Sequence, residues 1–101
     1  MQVALQLLTA SDFQPQLGKD FFIHFADDVT ATSQLEKVLD LPHYANLERK
    51  PFSILLQTVQ KDHHYQQAIY TVQQPVLGTM QIFLVPVGGN EKGMQYEAVF
   101  S

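Results

Sequence analysis

The sequence has no cysteine and few basic residues, and these two shortages exclude several kinds of site. Without cysteine there is no disulfide, no thiolate zinc site and no thiol nucleophile. The six lysine and arginine residues are scattered and the net charge is −4. Nucleic-acid binders usually carry a clustered basic stripe, so we expect no nucleic-acid partner.

Long apolar runs are also missing. No stretch approaches the ~18 consecutive apolar residues of a membrane span, and residues 1–8 lack the basic start of a signal peptide. We expect no membrane contact and a cytoplasmic location, or incorporation into an exported assembly without a signal peptide. Because 46% of the residues are hydrophobic, a packed core is favoured over disorder. A chain of 101 residues has room for one core, so residues 1–101 are predicted to form a single β-rich domain.

Short apolar segments between turn residues predict a mainly β fold. Thr9 and Asp12 have the spacing of a helix capping box, and Pro15 and Gly18 limit that helix to one or two turns. Residues 33–41 fit either a strand or a short helix, and we favour a strand. The expected fold is a small antiparallel β-barrel or sandwich of five to six strands with one short N-terminal helix. The other predicted strands are 21–25, 52–59, 68–72, 80–87 and 94–100.

Two predicted strands are apolar on both faces, at residues 54–56 and 82–85. Barrel closure or the N-terminal helix would cover the second face, and a surface patch that packs on another protein is the alternative. The last strand could lie at a sheet edge and pair with a neighbouring molecule. The interface candidates on these strands are Ile54, Leu56, Ile82, Leu84, Tyr96, Val99 and Phe100.

Glu97 interrupts the otherwise apolar last strand, where alternation places it on the same face as Val99. A partly buried carboxylate needs a partner, because burying an unpaired charge is costly. Arg49, just before the strand at 52–59, is the natural candidate. We predict a structural ion pair between Arg49 and Glu97, with an interface contact of Glu97 as the alternative.

The candidates for chemistry are weak. His63 and His64 are adjacent, so their side chains diverge, and convergence with Asp62 and a loop-borne His43 is required for a metal site. No serine lies in a strand–turn–helix elbow, and the loop at residues 88–93 lacks the lysine and hydroxyl of a phosphate loop. We expect no enzyme, no metal and no cofactor.

Several motifs resemble a known family over nearly the whole chain. They are Leu8-Thr-x-x-Asp-Phe13, Arg49-x-Pro-Phe-Ser53, Tyr70-Thr-Val-x-x-Pro75, Phe83-Leu-Val-Pro-Val-Gly88 and Tyr96-Glu-Ala-Val-Phe100. This pattern is similar to a family of small bacterial domains of unknown function, whose members look to be encoded near phage-tail-collar-like or fibre-like proteins. The resemblance implies an accessory or assembly role and no known activity.

We therefore predict a non-enzymatic protein-interaction module. It is expected to self-associate, or to serve as an accessory or assembly factor that contacts a phage-tail-collar or fibre-like protein. The alternative is a small β-barrel that holds an apolar small molecule. Its proposed contacts are Phe21, Phe25, Tyr70 and Phe83.

Overall fold

The structure, a computed structural model, describes residues 5–42 and 50–101. Its six strands form a closed antiparallel barrel in the order β1-β2-β3-β6-β5-β4. This confirms the mainly β prediction and selects the barrel over the sandwich. The short helix α1 is Ala10–Phe13, flanked by 3₁₀ turns at Leu5–Leu7 and Gln14–Gln16. The strands are β1 Asp20–Ala26, β2 Val29–Asp40, β3 Phe52–Gln57, β4 Ala68–Gln74, β5 Gly78–Gly89 and β6 Met94–Phe100.

The ambiguous segment at residues 33–41 lies in β2 up to Asp40, as favoured, but a bulge changes its phase. Leu35 and Lys37 pair with adjacent residues of β3, so Glu36 is the extra residue. An extra residue reverses the alternation of side chains beyond it. Leu35 is therefore buried in the core, whereas Val38 is only partly buried against it and Leu39 is 52% exposed on the outer surface.

The N-terminal helix begins at the predicted capping box. The Thr9 backbone N–H donates to the Asp12 carboxylate at 2.8 Å, and the Asp12 N–H donates to the Thr9 carbonyl at 3.0 Å. Pro15 lies in the 3₁₀ turn that follows, which ends the helix after one turn. Phe13 is fully buried, but Leu17, expected to face the core as well, is 42% exposed.

Four phenylalanine rings fill one end of the barrel, and we call them the phenylalanine end. Phe13 of α1 lies 5.4 Å from Phe100, 5.6 Å from Phe52 and 6.2 Å from Phe21, measured between ring centroids. Phe52 and Phe100 pair across β3 and β6 and stack at 4.8 Å. The helix thus seals this end with one aromatic side chain.

The other end, which we call the tyrosine end, consists of Phe25, Tyr65, Tyr70 and Tyr96. The Phe25 ring stacks on Tyr65 at 4.5 Å and contacts Tyr70 edge-on at 4.9 Å. Tyr96 is fully buried, with its ring centroid 5.1 Å from that of Phe25. Tyr65 comes from the segment between β3 and β4, so this connection covers the second opening of the barrel.

Candidate functional site

Six of the seven predicted interface residues lie inside the barrel. Ile54, Leu56, Ile82, Leu84, Tyr96 and Phe100 are each no more than 5% exposed. Closure of the sheet buries their common face, so these side chains are unavailable to a partner of the folded chain. Val99, at 60% exposure, is the one that faces outward. The expectation of an edge strand is wrong as well, because β6 lies between β3 and β5 and pairs with both.

Glu97 lies on the outer surface of β6, on the same face as Val99. It is half-buried and pairs with Leu55 of β3 on one side and Val85 of β5 on the other. Arg49, its predicted partner, lies outside the described residues, so the ion pair stays a prediction. Glu97 is thus a carboxylate set among apolar neighbours on the outside of the barrel.

The four residues of the predicted ligand cavity are not brought together. Phe21 stacks on Phe13 at the phenylalanine end, while Phe25 and Tyr70 meet at the tyrosine end. Phe83 is 50% exposed on the outer face of β5. Small barrels fill their interiors with side chains, and this placement disperses the predicted apolar site.

The histidines have separate surroundings. His24 lies on the outer face of β1, where Nε2 is 2.7 Å from the side-chain oxygen of Gln73 and Nδ1 is 2.9 Å from the Thr30 hydroxyl. His63 meets the Tyr65 ring edge-on at 5.9 Å. Within residues 5–42 and 50–101, no three potential metal ligands cluster together, and His43 lies outside those ranges.

The serines weighed as nucleophiles on strands have structural positions. The Ser33 hydroxyl is buried and donates to the Phe21 carbonyl at 2.8 Å across β1 and β2. Ser53 is 4% exposed and pairs with Leu39 and Val99, whose side chains cover it. Neither serine is accessible to a substrate from solvent.

An apolar surface extends over the outside of β2, β3, β6 and β5. One row across the strands is Leu39, Ser53 and Val99, and the next row contains Leu55 and Val85. Leu39 and Val99 are more than half exposed, and Leu55 and Val85 are half-buried. Phe83, two residues before Val85 on the same face, extends the surface. We call Leu39, Leu55, Phe83, Val85 and Val99 the apolar face.

Two opposite charges lie in the second row of the apolar face. Lys37 pairs with Leu55 on one side, and Glu97 pairs with Leu55 on the other. Neighbouring strands are about 4.8 Å apart, so the two charged positions are about 10 Å apart with the leucine between them. The structure forms no ion pair between them. Neither residue forms an ion pair with any other part of the chain that the structure describes.

Of the apolar face, only Val99 is among the predicted interface residues, because Leu55, Phe83 and Val85 alternate with the predicted residues along their strands. Leu55 and Val85 are the outward partners of the inward Ile54, Leu56 and Leu84. The phase of β6 carried the signal that could have found them, because an acid at Glu97 marks the outer side of that strand. The residues that pair with Glu97 on β3 and β5 also face outward, but the pairing register of these strands was not evident from the sequence.

A polar network holds the loop between β5 and β6 against β3. The Gln57 side-chain amide donates to the Thr58 carbonyl at 2.9 Å and to the Gly93 carbonyl at 3.1 Å. Gln57 also exchanges hydrogen bonds with Asn90, whose Oδ1 accepts the Gly93 N–H. Gln57 is 6% exposed, so this buried amide depends on these partners. The network fixes the start of the segment that leaves β3.

The tyrosine hydroxyls anchor the same segment further along. The Tyr96 hydroxyl donates to the Gln60 side-chain oxygen at 2.7 Å and accepts the Tyr65 backbone N–H at 2.9 Å. Burial raises the pKa of Tyr96, and the pKa of Tyr70 is raised mainly for the same reason. These phenols are therefore held in their neutral form, as hydrogen-bonding groups.

These features define a small antiparallel β-barrel domain with a filled interior and an apolar outer face. The chain belongs to the family described as a domain of unknown function, DUF6916, which matches residues 8–100. No curated protein and no solved structure matches it. Across the described residues, no helix is long and apolar enough to cross a membrane.

Proposed function

We propose that this protein is an interaction module that associates with a second copy of itself through the apolar face. The observation that carries the proposal is the row in which Leu55 lies between Lys37 and Glu97. Exposed apolar surface next to charges of both signs is typical of protein contact sites.

The order of the charges favours a second copy as the occupant. In a symmetric dimer, the same surface of both subunits meets about a twofold axis. An axis parallel to β3 and passing over Leu55 exchanges the two sides of the row. Lys37 of one copy then lies opposite Glu97 of the other, twice in the interface, while the leucines meet at the centre. The charges select this orientation, because an axis across the strands would oppose like charges.

The face is modest in size, which sets the expected affinity. The face follows the curve of a closed six-stranded barrel, so a second copy can meet only its central part on β3 and β6, which is smaller than most permanent interfaces. We therefore expect a dimer that dissociates in the micromolar range, about −8 kcal/mol. Such a dimer suits a subunit that joins a larger assembly.

We also propose the kind of larger structure that the protein joins. The sequence resembles domains encoded near phage-tail-collar-like or fibre-like proteins, and we propose an accessory or assembly role in such a structure. This role places the protein in the cytoplasm or in an exported assembly.

Sedimentation velocity over a concentration series tests the self-association. We expect a monomer–dimer equilibrium in the wild type and a monomer in Leu55→Asp, because a buried carboxylate at the centre would be unpaired. Val76→Asp is the matched control, since Val76 is 71% exposed in the turn between β4 and β5, away from the apolar face. It should dimerise like the wild type.

Charge exchange gives the more specific test. Lys37→Glu alone should weaken the dimer at least tenfold, and adding Glu97→Lys should restore it, because the two cross-subunit pairs are re-formed with reversed sign. A wild type that stays monomeric at millimolar concentration would refute the proposal. A double variant no better than the single one would refute the twofold arrangement.

A further inference from the structure

The barrel seam opens between β2 and the chain that leaves β3. β2 pairs with β3 only from Gln34 onward, and its earlier residues pair with β1 alone. Beyond Gln57 the chain follows β6 instead, since the Thr58 N–H donates to the Met94 carbonyl at 2.9 Å. The two strands therefore diverge. A groove of about 820 Å³ lies between Thr30–Gln34 on one side and residues 57–61 on the other.

The β2 wall of this groove is a strand edge with outward-directed backbone groups. Leu35 uses both its N–H and its carbonyl on the β1 side, with Lys19 at 3.2 Å and Gly18 at 2.8 Å. Backbone groups alternate in direction along an antiparallel strand, so those of Thr30 and Thr32 are directed into the groove. No strand of the described ranges, 5–42 and 50–101, pairs with them on that side.

The opposite wall of the groove is formed by the segment that follows β3. Thr58 and Gln60 both bond toward β6, the latter by accepting the Met94 N–H at 2.7 Å. Val59, between them, lines the groove. Val59 is also 78% exposed, so this wall presents an apolar side chain. One strand edge, that of β2, thus faces the cavity, and an exposed edge of this kind accepts an added strand.

Charge indicates which strand would fit. Lys61 and Lys92 line the groove, and no aspartate or glutamate is among its described lining residues. The nearby carboxylate of Glu36 lies 3.6 Å from the Lys92 ammonium, and both side chains of this pair are partly exposed. Apart from Ala31 and Val59, the remaining lining residues are threonines and glutamines, which can hydrogen-bond an extended ligand.

The groove is also held open by contacts already described. Gln57 is fixed by its bonds to Asn90 and Gly93 at the narrow end, and Gln60 is held by the Tyr96 hydroxyl. A wall fixed before binding loses less entropy when a ligand is ordered against it. The position of residues 57–60 is therefore set by the core of the barrel.

We propose that this groove binds an extended, acidic peptide segment of a partner protein by strand addition. The peptide backbone bonds to Thr30 and Thr32, beside Val59, and its carboxylates lie near Lys61 and Lys92. The site is separate from the apolar face and does not depend on dimerisation. Loss of peptide binding and loss of the dimer are thus distinguishable outcomes.

Titration of the isotope-labelled protein with synthetic peptides, followed by amide NMR, tests the proposal. The probe is an acetylated eight-residue peptide in which threonine and valine alternate and two of the eight positions are glutamate. We expect saturable shifts at the amides of Thr30, Thr32 and Val59. The same peptide with lysine in place of glutamate should bind at least tenfold more weakly. A version with alternate backbone amides N-methylated should not bind, because it cannot pair as a strand.

Protein variants separate backbone pairing from charge. Thr32→Pro removes a donor that faces the groove and leaves the pairing with β1 intact, so it should abolish binding, while Thr32→Ala should retain it. Lys61→Glu should weaken binding about tenfold, and Lys19→Glu, outside the groove, should not. Equal binding of the lysine peptide, the N-methylated peptide or an oligothymidylate would overturn the proposal. So would the absence of any shift at millimolar peptide.

Discussion

The two ends of the barrel are closed by different physical means. At the phenylalanine end, Phe13 enters from a helix and packs on three other phenylalanines, and no polar atom takes part in the ring contacts. At the tyrosine end, Tyr96 packs on Phe25 as well, but its hydroxyl also holds Gln60 and the Tyr65 backbone. The phenylalanine end is closed by buried apolar area alone, whereas the tyrosine end is closed by buried apolar area and hydrogen bonds.

The difference follows from what each end must hold. The helix α1 is held by local bonds, in which the Asp12 N–H donates to the Thr9 carbonyl and the Thr9 N–H donates to the Asp12 carboxylate, so an apolar side chain is enough to attach it. The segment after β3 is irregular, and its backbone groups need partners from elsewhere. Tyrosine supplies an apolar ring and a hydrogen-bonding tip in one side chain. The tyrosine end is therefore the end that can position a groove wall, and the phenylalanine end serves stability only.

The largest expected effect is at the phenylalanine end. Phe13→Ala should lower the free energy of unfolding by about 3–5 kcal/mol, because it removes a fully buried ring and leaves a cavity among the other three. Urea unfolding followed by circular dichroism measures it. Leu17→Ala is the control, because Leu17 is 42% exposed just beyond the same helix. If both variants lost equal stability, the helix would not be acting as a plug.

The predictability of the two ends differs as much as their packing. The phenylalanine end could be anticipated from local signals. These are the capping box at Thr9 and Asp12 and the period-two pattern that places Phe21 and Phe25 on one face of β1. Tyr65 could not, since it follows a polar run with no periodicity and is placed only by contacts with distant strands. Its position depends on tertiary packing that no short window of sequence encodes.

The candidate site also has a part that local sequence predicts and a part that it does not. The shared face of Glu97 and Val99 follows from alternation within one strand, and the structure confirms it. The apolar face needed the register of β3 with β6, and Leu39 needed the bulge at Glu36. Bulges and barrel closure are set by the energy of the whole sheet. This is why the inward side of the apolar strands was mistaken for their interface side.

A smaller effect is expected where the tyrosine end meets the loop between β5 and β6. Gly93 has φ +148°, and a Cβ there would lie 2.6 Å from the Thr58 carbonyl oxygen. Gly93→Ala should therefore cost about 2–3 kcal/mol, from overpacking added to backbone strain. Differential scanning calorimetry measures the loss.

Gly88→Ala separates the two contributions to that cost. Gly88 has a similar φ of +138°, but a Cβ there would meet nothing within 4 Å. It should show the strain alone, about 1 kcal/mol. Equal losses in the two variants would mean that the close approach to Thr58 contributes nothing. Only Gly93→Ala should also displace the groove wall, visible as shifted amides at Thr58 and Val59.

Another small effect at neutral pH isolates the hydroxyl at the tyrosine end. Tyr96→Phe keeps the buried ring but removes the donor to Gln60 and the acceptor of the Tyr65 N–H. We expect a loss of about 1–2 kcal/mol at pH 7. Phe100→Leu at the opposite end provides the comparison for a change of ring packing alone. A double-mutant cycle with Gln60→Ala apportions the loss between the two hydrogen bonds.

Alkaline pH should narrow the difference in stability between the wild type and Tyr96→Phe. Burial raises the pKa of Tyr96 above its ordinary value of 10.0, so the folded state favours the neutral phenol. The resulting stability is fully present below pH 10 and is lost as pH rises through the folded-state pKa. Wild-type unfolding free energy should fall as the pH rises above about 10, and the fall should be shallower in Tyr96→Phe. Urea unfolding at several pH values measures both slopes.

Because the pKa of Tyr70 is raised in the same direction, Tyr70→Phe should remove a further part of the pH dependence of the unfolding free energy. Identical slopes in all three proteins would show that the phenols titrate as they do in the unfolded chain, and that burial at this end is not what keeps them neutral.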